Sequence, residues 1–211
     1  MKRYSTCFKL NSLDFIEIKA PHKQEDLFRY DEVDIVFQKK DGQKFVIYSS
    51  DFIIEALRRF ESKLTKATNN CLELHPSIIP GSSSKDIGLL WNEDLHSKEY
   101  LPQEVNEKGK SYWVGKKYLL FSCNKSRITS WVYNTEGKIF LELTPQYQWH
   151  FDEPEKGEKF ITYENFVENY KPLIINEITK EAAQNLLMWI QELRQIVEKN
   201  DSKYLSNSSY K

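Results

Sequence analysis

Glycine is scarce in this chain, with 7 among 211 residues, and that scarcity argues against enzymes built on glycine-rich loops. The segment nearest to a phosphate loop, Pro80, Gly81, Ser82, Ser83, Ser84, Lys85 and Asp86, lacks a second glycine and a Lys-Ser/Thr pair, and no apolar strand leads into it. Cysteine is scarce too. Cys7, Cys71 and Cys123 are odd in number and far apart, which fits a reducing compartment and supports neither a disulfide framework nor a cysteine zinc site. No apolar run approaches the roughly eighteen residues of a membrane span, and MKRYSTCFKLNSLDF holds no apolar stretch of signal-peptide length. No membrane association and a cytoplasmic address are the resulting expectations. A formal net charge of -1 gives no global attraction for nucleic acid or lipid.

The usual catalytic and ligating motifs are missing as well. His22, His75, His96 and His150 are isolated from one another, with no HExxH and no paired cysteine. Trp149, His150, Phe151, Asp152 and Glu153 come nearest to a ligand cluster, but an acidic loop after a strand is commonly only solvated. No Gly-x-Ser-x-Gly elbow occurs, and Cys71 and His75 lie four apart beyond a helix end. No catalytic residue, cofactor or metal ligand is assigned, and an enzyme of unknown class ranks third among the functional readings.

What is abundant is β-forming aromatic sequence. Residues 112–149 read YWVGKKYLLFSCNKSRITSWVYNTEGKIFLELTPQYQW, rich in Tyr, Trp, Val, Ile and Phe and cut by Asn124, Lys125, Ser126 and by Thr135, Glu136, Gly137 into pieces of strand length. A three-stranded antiparallel meander is expected. Ile139, Leu141 and Leu143 alternate with Lys138, Phe140, Glu142 and Thr144, suiting a sheet with one buried face. Earlier, residues 4–10 and 13–19 form a first hairpin, and 33–38 with 44–48 a second around Asp41 and Gly42, since glycine accepts positive φ without steric cost.

Helical spacing begins after Ser50 or Asp51, where Ile53, Leu57, Phe60 and Leu64 share a stripe, and stops near Asn69 and Asn70. Residues 71–111 are the least regular, with a short strand expected at 86–91; a loop region of that length is often a working surface. Thr162 caps a helix ended by Pro172, with Ile161 and Phe166 placed as a hydrophobic staple. Thr179 caps another, whose stripe of Ala183, Leu186, Leu187, Ile190, Leu193 and Val197 runs to about residue 199. Residues 201–211 are polar and expected to fray as a flexible tail.

Together these elements predict a single α+β domain over 1–200: one antiparallel sheet of about six to eight strands with the helices packed on one face. Its core is expected to include Ile35, Phe37, Ile47, Leu57, Phe60, Leu64, Leu120, Leu141, Leu187 and Ile190.

Charge is unevenly distributed. Residues 108–138 carry seven basic side chains against Glu136, a net of +6. Residues 152–181 carry eight acidic side chains against four lysines, a net of -4. A basic aromatic sheet using Trp113, Lys116, Lys117, Arg127 and Trp131 is one candidate face, for single-stranded nucleic acid. An acidic face formed by Asp152, Glu153, Glu155, Glu158, Glu164 and Glu168 is the other, for a basic protein partner. Both segments could equally be solvated sides of a nearly neutral protein.

The run TSWVYNTEGKIFLELTPQYQW, followed by ITYENFVENYKP and a final capped amphipathic helix, resembles small α+β proteins among the bacterial polymorphic-toxin immunity proteins. The resemblance covers about residues 112–199 and rests on a Trp-rich meander ending in Thr-Pro and an aromatic helix stopped by Lys-Pro. It implies a non-enzymatic cytoplasmic protein that binds one toxin and occludes it, and it brings no catalytic residue with it. A protein-binding module of this kind is the leading expectation, and nucleic-acid binding the alternative.

Overall fold

The computed structural model describes residues 3–11, 14–96, 101–105, 108–150 and 153–208. Its first half is a meander of β1 (Tyr4–Lys9), β2 (Phe15–Ala20), β3 (Glu32–Gln38) and β4 (Lys44–Phe52), paired in that order and antiparallel throughout. The helix α1 (Ile53–Thr68) follows directly. Both expected hairpins are present, with Ser12 and Leu13 of the first lying outside the described residues. Neither Ser50 nor Asp51 caps α1. The strand continues to Phe52, Ser50 turns the chain at φ 55°, and the first helical amide, on Ile53, donates to the Asp31 carbonyl at 2.9 Å.

The expected strand at 86–91 is instead the start of α2 (Ile87–His96). Asp86 decides this. Its carboxylate accepts the Gly88 amide at 3.0 Å and its carbonyl accepts the Leu90 amide at 3.0 Å, the bonds that an N-cap residue makes at a helix start. A small ribbon, β5 (Gln103–Val105) with β6 (Ser111–Trp113), leads through a 3-10 turn at Val114–Tyr118 into the predicted meander. That meander is β7 (Leu119–Cys123), β8 (Ile128–Thr135) and β9 (Lys138–Pro145), with both turns where composition placed them. After α3 (Tyr163–Glu168) an unanticipated strand, β10 (Ile174–Ile178), adds to β9, and α4 (Lys180–Ser208) closes the chain.

The α+β class and antiparallel pairing are as expected, but the single large sheet is not: among the described residues there are sheets of four, four and two strands. The first sheet is a meander of consecutive strands and the second adds β10 to the β7–β9 meander after the α3 excursion; among the described residues no ladder pairs β4 with β7, and each remains the edge strand of its own sheet. The two sheets meet through side chains instead. Tyr48 and Phe121 rings lie 4.8 Å apart, Phe60 and Phe121 5.1 Å, and the Ser126 hydroxyl donates to the Val46 carbonyl at 2.6 Å.

The helices are not confined to one face either. Asn134, whose side-chain amide donates to the Ala67 carbonyl of α1 at 3.0 Å, marks one side of β8; Trp131, in edge contact with Trp91 of α2 at 5.8 Å, marks the other. β8 is therefore buried on both sides along nearly its whole length, and the expectation of one exposed face fails there. One continuous core links both halves and holds every predicted core residue except Leu187, which is half-buried while Leu186 points inward.

Candidate functional site

Of the acidic face proposed from sequence, Glu153, Glu155, Glu158, Glu164 and Glu168 are all exposed; Asp152 lies outside the described residues. Their scaffold is aromatic. The Tyr147 amide donates to Asn92 Oδ1 at 2.6 Å, and its hydroxyl donates to the Ile161 carbonyl at 3.0 Å, pinning the chain where it approaches α3. The Tyr163 ring stacks on His96 at 3.9 Å and its hydroxyl donates to Glu93 Oε2 at 3.0 Å. Trp149 meets Phe160 at 5.2 Å and Tyr147 meets Phe166 at 5.5 Å. Thr162 caps α3 as predicted, its Oγ1 accepting the Asn165 amide at 3.2 Å.

On this base the acidic stretch is held open to solvent. Phe160 and Ile161 stand among the carboxylates with 50% and 38% exposure. The Glu164 carboxyl is held below its ordinary value by its own backbone amide and by the Thr162 hydroxyl. Glu158 has an internal task, accepting from the Glu155 amide at 3.1 Å and from the Gln148 side-chain amide. Glu153, Glu155 and Glu158 share with Trp149, Gln148 and Arg127 an open groove of about 850 Å³.

The basic aromatic face does not assemble. Trp113 and Trp131 are 1% and 0% exposed and form a buried triangle with Trp91, at 6.2 Å and 5.8 Å from it and 6.2 Å from each other. A ring enclosed on all sides cannot stack on a base. Lys117 is paired with Glu104 at 2.9 Å, Lys116 is exposed on the 3-10 turn, and Arg127 sits in the glutamate-lined groove. Alternation groups side chains by face but does not say which face is open; α2 and the 3-10 turn cover the face that carries Trp131.

Beneath the acidic surface lies a buried polar chain that sequence reasoning missed. Asp86 and Glu142 are both fully buried. Asp86 accepts from the Gly81 amide at 2.8 Å, the Gly88 amide at 3.0 Å and the Tyr170 hydroxyl. The Tyr133 hydroxyl donates to Glu142 Oε2 at 2.6 Å. Burial, reinforced by the nearby Asp86 charge, pushes the Glu142 carboxyl up to about 9, so it holds a proton at neutral pH. Tyr133 and Tyr170 are pushed up by burial and by the same carboxyls. Glu142 was visible as the one charge inside an apolar strand, but its encounter with Asp86 depends on α2, which the sequence did not announce.

His150 is held neutral in this neighbourhood. Burial and the adjacent His96 lower its pKa to about 4 against the opposing influence of Glu93, and its Nε2 lies 3.1 Å from Asn92 Oδ1. Among the described residues no three His, Cys, Asp or Glu side chains gather as a metal-holding group, and no described helix is long and apolar enough to cross a membrane. No family model matches the chain, and no curated protein matches it.

Proposed function

We propose that this chain is a protein-binding module of the immunity or antitoxin kind, which occludes a basic toxin partner with the surface formed by residues 153–168. The observation that carries the reading is the combination on one stretch of five exposed glutamates with the exposed Phe160 and Ile161, braced from behind by Tyr147, Trp149 and Tyr163. Carboxylates at the rim steer a cationic partner and discriminate against others, while an apolar anchor excludes water at the centre. A braced surface also loses little conformational freedom on binding.

The test is capture of partners on tagged chain from host extract, with and without nuclease, beside a variant carrying Glu153→Lys, Glu155→Lys and Glu164→Lys. Glu158 is left intact because it holds the loop. One basic protein should be retained in stoichiometric amount after nuclease treatment, with recovery falling by roughly 10-fold or more for the variant. Equal recovery by the variant, or recovery that vanishes with nuclease, would defeat the proposal.

A further inference from the structure

The acidic stretch is fastened at both ends to one cluster of rings. Tyr147 and His150 stand before it, and it ends where the Ile161 carbonyl accepts the Tyr147 hydroxyl at 3.0 Å and Tyr163 begins α3. His150 lies at that junction, its ring centre 5.1 Å from that of Tyr147 and 5.9 Å from those of His96 and Tyr163. His96, the last residue of α2, stacks on Tyr163 at 3.9 Å. Two imidazoles therefore join the end of α2 to the start of α3.

The tautomer of His150 is set by Asn92. That residue is fully buried, and its side-chain amide donates to the Gly88 and Pro145 carbonyls at 2.7 and 3.1 Å. Its Oδ1 is thereby turned to the Tyr147 amide and to His150 Nε2, so Nε2 carries the hydrogen and donates it. An acid proton must then enter at Nδ1, which is buried. The titratable groups facing the ring come from three elements. Glu93 of α2 favours a charged ring and His96 of α2 opposes it; Tyr147 belongs to the ring's own segment; α3 brings Tyr163 and, toward His96, Glu164. Burial outweighs Glu93 and holds the ring at about 4, below its ordinary value. The docked ring is thus a neutral one, and a charge on it is better accommodated in water.

We propose that His150, backed by His96, is an acid-operated latch on the 153–168 surface: the neutral ring holds α3 and the acidic stretch against α2, and protonation at Nδ1 undocks them. As regulation of binding the latch rests on 153–168 being the binding surface; as a movement of the chain it does not. Its sign follows from the preference of the docked ring for the neutral form. Above the ordinary histidine value the docked and the undocked ring are both neutral, and the latch is closed. As pH falls from about 6.5 toward about 4, the undocked ring gains its proton first, so the open form gains by up to about tenfold per pH unit. Below that window the docked ring is protonated as well and the effect is complete.

The experiment is hydrogen exchange of the intact chain with no partner added, read by mass spectrometry and corrected for the intrinsic pH dependence of exchange. Between about pH 7 and about pH 5, protection of peptides covering residues 147–170 should fall by roughly 20-fold. At about pH 5 it should also lie below the protection of β8, as a local opening requires. His150→Gln, which can still donate to Asn92 and has no proton to gain, should abolish the fall, whether or not it docks as tightly at neutral pH. His96→Phe, which keeps a ring on Tyr163 without the opposing charge, should lessen it. Constant protection of residues 147–170 in the wild type would overturn the latch. So would protection equal to that of β8, since the stretch would then open only with the whole fold, and so would an undiminished fall in His150→Gln. Because no partner takes part, a latch that fails leaves the proposed binding surface standing, and a surface that captures nothing leaves a measured opening in place.

Discussion

Glu142 couples stability to pH with a definite sign. Its folded-state value of about 9 lies above the ordinary carboxyl value, so the folded chain binds this proton more tightly than the unfolded one. Below the ordinary value both states are protonated and the contribution is fully present; as pH rises through neutrality toward 9 it is progressively lost, with a limiting slope of about 1.4 kcal/mol per pH unit. Urea midpoints followed by fluorescence of the buried tryptophans should therefore fall between about pH 6 and about pH 8.5. Glu142→Gln, which keeps an acceptor for the Tyr133 hydroxyl and has no proton to lose, should flatten that fall; an unchanged slope would mean that another group titrates. Gly88 gives a second test at this scale. An added Cβ there would run into Thr144 and the Tyr170 hydroxyl, so Gly88→Ala should destabilise by roughly 1–3 kcal/mol, and the wild-type urea midpoint would contradict that packing.

At the scale of elements, Thr162 and Thr179 act alike. Thr162 Oγ1 accepts the Asn165 amide and Thr179 Oγ1 the Ala182 amide, at 3.2 and 3.1 Å. Thr162→Ala should cost about 1 kcal/mol of stability and, because α3 anchors the acidic stretch, should also raise the protease sensitivity of residues 153–161. Cleavage indistinguishable from wild type would show that the aromatic contacts suffice to hold the segment. These caps were legible in the sequence because the same residue that breaks the helical pattern satisfies the first amides. The hairpins and the Trp-rich meander were legible for a similar local reason: turn residues fix pairing over short distances. β10 and α2 were not. Ile174, Ile175, Asn176, Glu177 and Ile178 pair with β9 across the whole α3 excursion, and the apolar run after Asp86 suits a short strand as well as a helix, so the local cap that Asp86 gives α2 did not decide between them in the sequence. The burial of Trp113 and Trp131 had the same origin, since alternation assigns a side chain to a face but cannot say what covers it. The exposed glutamates needed only their own charge to be found.

The whole molecule is tied together by α4, whose 29 residues span about 43 Å at the ordinary helical rise. It leaves the second sheet at β10, packs its stripe into the shared core, and ends against the chain connecting β2 to β3. There the Asn200 side-chain amide donates to the carbonyls of Glu25 and Leu27 at 2.9 and 3.0 Å, and Asp201 accepts the Arg29 amide at 3.2 Å while pairing with its guanidinium. The expected flexible tail is thus helical as far as Ser208, with residues 209–211 outside the described part of the chain. Ending the chain at Lys199 should remove these bonds at a cost of about 2–3 kcal/mol, lowering the melting temperature by roughly 5–10 °C for a chain of this size. Because one core links the halves, the loss should appear as a single cooperative transition shifted down. Two separated transitions would show that the halves melt independently and that α4 does not couple them, and an unshifted one would mean that the last turns of the helix add nothing to the fold.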